Sequence, residues 1–261
     1  MFMQDLCFFE MQVLHFVFSC FLFDGDIILH CQTNKNSKIM ETKRIFNLIV
    51  LDASGSMESI YQQALSGVNE TIQTIRKGQE DHPELHQYLT LASFNAGENY
   101  LHRIYNASPI TQVKDITPED YRTTGCTALY DAMGDMISEM QQKASHEDAV
   151  LVTVITDGYE NSSRRWSRMQ IKSIVQELRQ QGWTFNYIGA NQDVDQVADG
   201  IGIANKMSFA TTAEGTDRMF RRFSLSSSAF FNKVSSYMAC EAPSELAEDL
   251  DFFIDEEDQE S

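Results

Sequence analysis

Two aspartates and a group of hydroxyl side chains stand where apolar runs give way to loops. Residues 45–51 are almost continuously apolar and are followed at once by Asp52-Ala53-Ser54-Gly55-Ser56, while the apolar run Ala149–Thr156 is closed by Asp157-Gly158. In an open α/β sheet, ligands bind in the crevice beyond the carboxyl ends of the strands, so carboxylates ending two central strands converge on one place. The first loop adds two hydroxyls at alternate positions. A donor set made only of oxygens suits a hard cation: magnesium in the first place, manganese or calcium as alternatives, and not zinc or copper.

Other chemistries fit these residues less well. Ser54 or Ser56 as a hydrolase nucleophile would want G-x-S-x-G, which Ala53-Ser54-Gly55 does not supply, and no histidine is placed to serve it. Asp52 as a phosphoryl acceptor would want a second aspartate two residues on, where Ser54 stands. There is no P-loop, so in an ATP-driven complex this chain would recruit substrate and another chain would hydrolyse ATP. Strand-end aspartates are also ordinary turn formers. Two of them in the same context, one joined to a serine-rich loop, favour a shared site.

Joined to Gly125-Cys126-Thr127-Ala128-Leu129, these segments carry a family resemblance. The chain resembles the von Willebrand factor type A family with its metal-ion-dependent adhesion site, whose first element is D-x-S-x-S. The other two elements are a threonine in a glycine-containing loop before a helix and an aspartate after the central strand. All three occur in the required order, and the likeness covers roughly residues 43–210. It is nearest to the small bacterial cytoplasmic members of that family. The resemblance implies that Ser54, Ser56 and Thr127 offer hydroxyls to a magnesium ion, and that Asp52 and Asp157 anchor it largely through waters. It implies further that the ion, incompletely compensated by neutral ligands, takes a glutamate or aspartate of a protein partner. No catalytic residue is implied, so the expectation is a binding module and not an enzyme.

The elements that must position these residues follow from apolar spacing. The run at 45–51, with Asn47 its only polar member, reads as a parallel strand covered on both faces. Ile60, Ala64, Val68, Ile72 and Ile75 recur at helical spacing over residues 58–77. Residues 88–94 and 100–105 read as a hairpin at the edge of a mixed sheet. A helix is expected over 128–142, a central strand over Ala149–Thr156, and a helix capped by Ser162 or Ser163 that buries Met169, Ile171, Ile174, Val175 and Leu178. Gly182 ends that helix; a strand over 184–188, a short helix over 194–199, a strand over 207–210 and a helix over 214–238 complete the pattern. Alternating strands and helices predict a doubly wound, mostly parallel sheet with helices on both faces and right-handed crossovers.

Several neighbours of the site carry their own expectations. Asp131, one helical turn after Thr127, reads as a solvated surface carboxylate, Cys126 as a small buried hydrophobe and Trp166 as part of the following helix's apolar side. Tyr159, Glu160 and Asn161 follow Asp157 at the rim, either as partner contacts or as plain loop.

Composition bounds the partners and the ends. A formal charge of -18 over 261 residues argues against nucleic acid or an anionic membrane surface as a partner. Five cysteines (Cys7, Cys20, Cys31, Cys126, Cys240), scattered and without a C-x-x-C pair, indicate a reducing, cytoplasmic setting and no disulfide framework. Residues 1–39 contain an apolar stretch at 6–23, interrupted by Glu10, Gln12 and His15, that lacks the basic start of a signal peptide. They read as an upstream extension from a mis-assigned start, with an extra amphipathic helix as the alternative. Residues 40–238 read as the domain. Residues 239–261 read as a disordered acidic tail, in which Leu246, Leu250 and Phe253 also recur at the spacing of a short amphipathic helix.

Overall fold

The architecture is that of a parallel sheet with one antiparallel edge. The computed structural model describes residues 43–240 together with Phe252 and Phe253, all within a compact unit that spans residues 40–261. The apolar stretch at 6–23 and most of the acidic tail lie outside the described residues. Six strands, β1 (Lys43–Asp52), β2 (Leu85–Phe94), β3 (Leu101–Pro109), β4 (Ala149–Thr156), β5 (Thr184–Gly189) and β6 (Asn205–Ser208), form one sheet in the order β3-β2-β1-β4-β5-β6. Only β3 is antiparallel, paired to β2 as the hairpin pattern predicts. Five helices, α1 (Tyr61–Asp81), α2 (Leu129–Gln141), α3 (Arg168–Gln180), α4 (Val194–Gly200) and α5 (Ala213–Cys240), cover its faces. The doubly wound expectation holds.

Strand alternation builds two cores. Ile45, Ile49 and Leu51 of β1 face α1 and α5, while Phe46, Leu48 and Val50 face the side covered by α2, α3 and α4. Asn47, the polar residue of this buried strand, donates from Nδ2 to Gln87 Oε1 at 2.9 Å, which offsets its desolvation. Among the described residues no helix is long and apolar enough to cross a membrane.

Four local expectations are corrected. The first helix does not start at Glu58: Gly55–Ile60 forms a 3-10 turn, and α1 begins at Tyr61. The cap of α3 is Ser167, not Ser162 or Ser163, because Gln170 three residues on completes a reciprocal capping box with it. Met169 then falls on the first turn of α3 facing outward and is 81% exposed, while Ile171, Val175 and Leu178 supply the buried stripe. The last strand is two residues earlier than expected. Gly182 does end α3 in a left-handed turn, with φ 89° and its N–H donating to Arg179 O.

Candidate metal centre

β1 and β4 lie side by side with Leu51 opposite Ile155, so Asp52 is level with Thr156 and Asp157 stands one residue beyond. Both carboxylates are buried. Asp52 Oδ1 accepts the Ser54 N–H at 2.7 Å, an Asx-type turn that bends the chain away from the strand. Its Oδ2 accepts the Thr156 hydroxyl at 2.6 Å, which ties the two strand ends together. The backbone carbonyl of Asp52 is held too, by the buried Tyr121 hydroxyl at 2.7 Å.

The hydroxyls form a chain that ends on the second carboxylate. Ser56 donates to Asp157 Oδ1 at 2.5 Å, and Ser54 Oγ lies 3.1 Å from Ser56 Oγ. Because Ser56 spends its one hydrogen on Asp157, Ser54 is the donor in that second bond. Asp157 Oδ2 is buried and has no hydrogen-bond partner among the described residues. A β-carbon on Gly158 would lie 3.7 Å from Ser56 Oγ and 3.9 Å from Thr127 Oγ1, so both hydroxyls border the space above that glycine. All five residues expected at the site are therefore brought to one end of the sheet.

Thr127 is delivered there by backbone pairing between loops. Gly55 N–H donates to Gly125 O at 3.0 Å and Thr124 N–H to Ala53 O at 2.8 Å, with Gly125 in the left-handed region at φ 74°. Asn161 closes the other side: its Oδ1 accepts the Thr127 N–H, and its own N–H donates to Thr127 O. Cys126, in this surface loop, is exposed and not buried as expected.

The start of α2 is capped by the loop that follows Asp157. Glu160 Oε2 accepts the Tyr130 N–H and Ser163 Oγ the Asp131 N–H, satisfying donors that an isolated helix leaves free. Asp131 answers by accepting the N–H groups of Arg164, Arg165 and Trp166 at 2.8–2.9 Å. It is thus a buried clasp and not a solvated carboxylate. Trp166 lies ahead of α3 and against Gly134 of α2, where a β-carbon would come within 2.1 Å of the indole. Of the rim residues, Glu160 and Asn161 are engaged in these clasps, and Tyr159 stays 51% exposed.

Burial raises the Asp52 carboxyl to about 6 against the pull of hydrogen bonds from Thr156 and Ser54, and the neighbouring Asp157 adds to the rise. Burial raises Asp157 as well, partly offset by Ser56. No lysine or arginine among the described residues pairs with either carboxylate. Nor do three His, Cys, Asp or Glu side chains gather there in a metal-holding group. The donor set is two carboxylates and three hydroxyls. Two buried, uncompensated carboxylates, one with an orphaned oxygen, and hydroxyls facing the same space fit a small divalent cation bound through oxygen and water.

The von Willebrand factor type A domain model matches residues 48–222, more than half of the chain and all five of these positions. The chain belongs to that family. Solved structures agree at the level of fold. A point mutant of the PilB minor pilin from Streptococcus sanguinis superposes with a TM-score of 0.53 at 14% identity, covering 79% of this chain and 65% of that one. The pilus adhesin SpaC from Lactobacillus rhamnosus GG superposes with a TM-score of 0.53 at 12% identity, covering 76% of this chain and 31% of that one. The type A chain described here thus spans less than two thirds of the length of either. No curated protein matches it closely enough to count as a relative.

The clasps were hidden from sequence. Thr156 carried a signal, since the last residue of one parallel strand shares a face with the residue level with it at the end of its neighbour. Asp131, Glu160 and Asn161 carried none, because their roles depend on how two loops distant in sequence meet.

Proposed function

We propose that this von Willebrand factor type A domain is a divalent-metal-dependent protein-interaction module without catalytic activity of its own, working in a reducing, cytoplasmic setting. Asp52, Ser54, Ser56, Thr127 and Asp157 would hold magnesium, with manganese or calcium as substitutes, in a metal-ion-dependent adhesion site. The bound ion would supply Lewis acidity toward one anionic oxygen of a partner. The observation that carries this reading is the buried Asp157 Oδ2 beside Ser56 and Thr127, with neither a hydrogen-bond partner nor a cationic side chain to compensate it among the described residues.

The chain's own residues do the rest. Asp52 uses both oxygens on the Ser54 N–H and the Thr156 hydroxyl, so it acts by shaping the serine loop. Ser56 and Asp157 share one proton-mediated contact that a cation would relax. With the three neutral hydroxyls in direct contact and the two carboxylates acting largely through waters, the ion would keep a position for an anionic ligand, which selects a glutamate or aspartate on the partner. The membership of the type A family and the fold shared with pilus proteins support a binding role. The test is magnesium and manganese calorimetry on the full chain and its Asp52→Ala and Thr127→Ala variants, followed by capture of partners with and without EDTA. Binding in the parent chain, lost in the variants with circular dichroism unchanged, is expected. Equal affinity in all three would refute the assignment, and metal-dependent turnover of a phosphoester would favour a hydrolase.

A further inference from the structure

Beside the metal centre lies a second feature of opposite charge. An open cleft of about 400 Å³ is lined by Tyr130, Glu160, Ser163, the segment from Arg164 to Arg168, and Gln170. Three of its residues are arginines in a chain of net charge -18. Glu160, the acidic group of the lining, spends its oxygens on Tyr130, Ser162 and Ser163. Arg165 is paired with Asp135. Arg168 rests its Nε on a neutral acceptor, Gly200 O, at 3.1 Å, and Arg164 has no ion-pair partner among the described residues. Both side chains are exposed and lack an ion-pair partner among the described residues, so with Glu160 held by neutral donors the lining keeps a net positive charge.

The acidic tail is anchored beside the edge strand β6, on the α5 side of the sheet. Phe252 is buried against Phe223 and Phe230 of α5, with ring centroids 5.8 and 6.2 Å away, and its N–H donates to Asn205 Oδ1 at 3.3 Å. Phe253 packs on Phe252 and lies beneath the Arg222 guanidinium. Asn205 follows Gly200 by five residues, so the two Cα atoms are at most about 18 Å apart. The acidic run at 255–260 starts two residues past Phe253, and Glu260, seven past it, reaches up to about 25 Å.

We propose that the acidic run at 255–260 docks in the Arg164/Arg168 cleft of its own molecule and there competes with the acidic partner of the adjoining metal centre. Tethering through Phe252 gives the run a local concentration on the order of millimolar, enough to fill a weak electrostatic site that a free peptide would occupy poorly. Competition presupposes the metal-dependent capture proposed above, whereas docking needs only the arginines.

The probe is a dye-labelled peptide of residues 254–261, followed by fluorescence anisotropy in low salt. The chain truncated after Phe253, which keeps the aromatic anchor, is expected to bind it at least about tenfold more tightly than the full chain, whose cleft is filled. Arg164→Glu, alone and with Arg168→Glu, should weaken binding to the truncated chain about fivefold or more, and 0.5 M salt should remove it. Equal binding by the two chains, no binding by the truncated chain, or indifference to Arg164→Glu overturns docking. A full chain whose mass rises with concentration and returns to monomer on truncation overturns docking within one molecule. Magnesium calorimetry on the same samples separates the readings: peptide binding without metal binding sinks the metal centre and leaves the docking intact.

Discussion

The Thr156 hydroxyl donates a 2.6 Å hydrogen bond to Asp52 Oδ2, so the last residue of β4 holds the carboxylate that ends β1. Removing this donor leaves a buried carboxylate oxygen without a partner. Thr156→Val keeps the shape and deletes the bond, and should cost about 1–3 kcal/mol of stability in the metal-free domain. Magnesium affinity by calorimetry should fall about tenfold or more, as when other groups that orient ligands are lost. Undiminished affinity would mean that the serine loop keeps its shape without this tie.

The strands and the Asp-Ser loop were legible in sequence because their signals are local. β1 and β4 announced themselves as apolar runs, and a carboxylate at the end of each is read directly from the chain. Thr127 needed the family pattern, since its position depends on Gly125 and Gly55 pairing across seventy residues. Asp131 was misread for the same reason: helical spacing places it one turn after Thr127, but only the folded loop brings three N–H groups onto it. Ser167 lost to Ser162 and Ser163 as a predicted cap because the serines upstream look equivalent until Glu160 engages them.

The raised Asp52 carboxyl makes stability depend on pH in a definite direction. With a folded value of about 6 against an ordinary 3.8, the folded chain holds this proton more tightly than the unfolded chain. The metal-free domain therefore gains stability from this group as pH falls from 7 through 6 toward 4, by up to about 3 kcal/mol. Asp135 and Asp148 act oppositely: burial raises them, but hydrogen bonds to Tyr100, Trp166 and Arg165, and to Arg44 and Ser145, hold them below the ordinary value. The comparison to make is denaturant unfolding of the parent and Asp52→Asn between pH 4 and 7, in EDTA. The parent's advantage at low pH should vanish in the variant; parallel curves would contradict a raised carboxyl.

Asp131 holds the loop that carries Asp157 to α2. Asp131→Ala strands three backbone donors and should destabilise the domain by about 2–4 kcal/mol in urea unfolding, while Asp131→Asn, which keeps one acceptor, costs less. Magnesium affinity should fall in the same order. An Ala variant as stable as the parent would show that water replaces the clasp without loss.

A pair of glycines sets the spacing of α1 and α5. A β-carbon on Gly67 would lie 2.0 Å from the Phe220 ring, and one on Gly78 would lie 2.5 Å from the Phe231 ring. Eleven residues separate the glycines and eleven separate the phenylalanines, about three helical turns in each case, so the two helices meet twice in the same register. Neither ring has room to withdraw, because both are buried in the core beneath the sheet. Gly67→Ala would raise helix propensity by about 1 kcal/mol if the site were open. Overpacking against a fixed ring costs typically 1–3 kcal/mol, so the net effect should be destabilising despite the better helix former. In a Phe220→Ala background, where the ring and its Cγ are gone, Gly67→Ala should cost less than in the parent when the four chains are compared by thermal unfolding. A single variant more stable than the parent would show that α5 can slide along α1, and with it the aromatic seat that anchors Phe252.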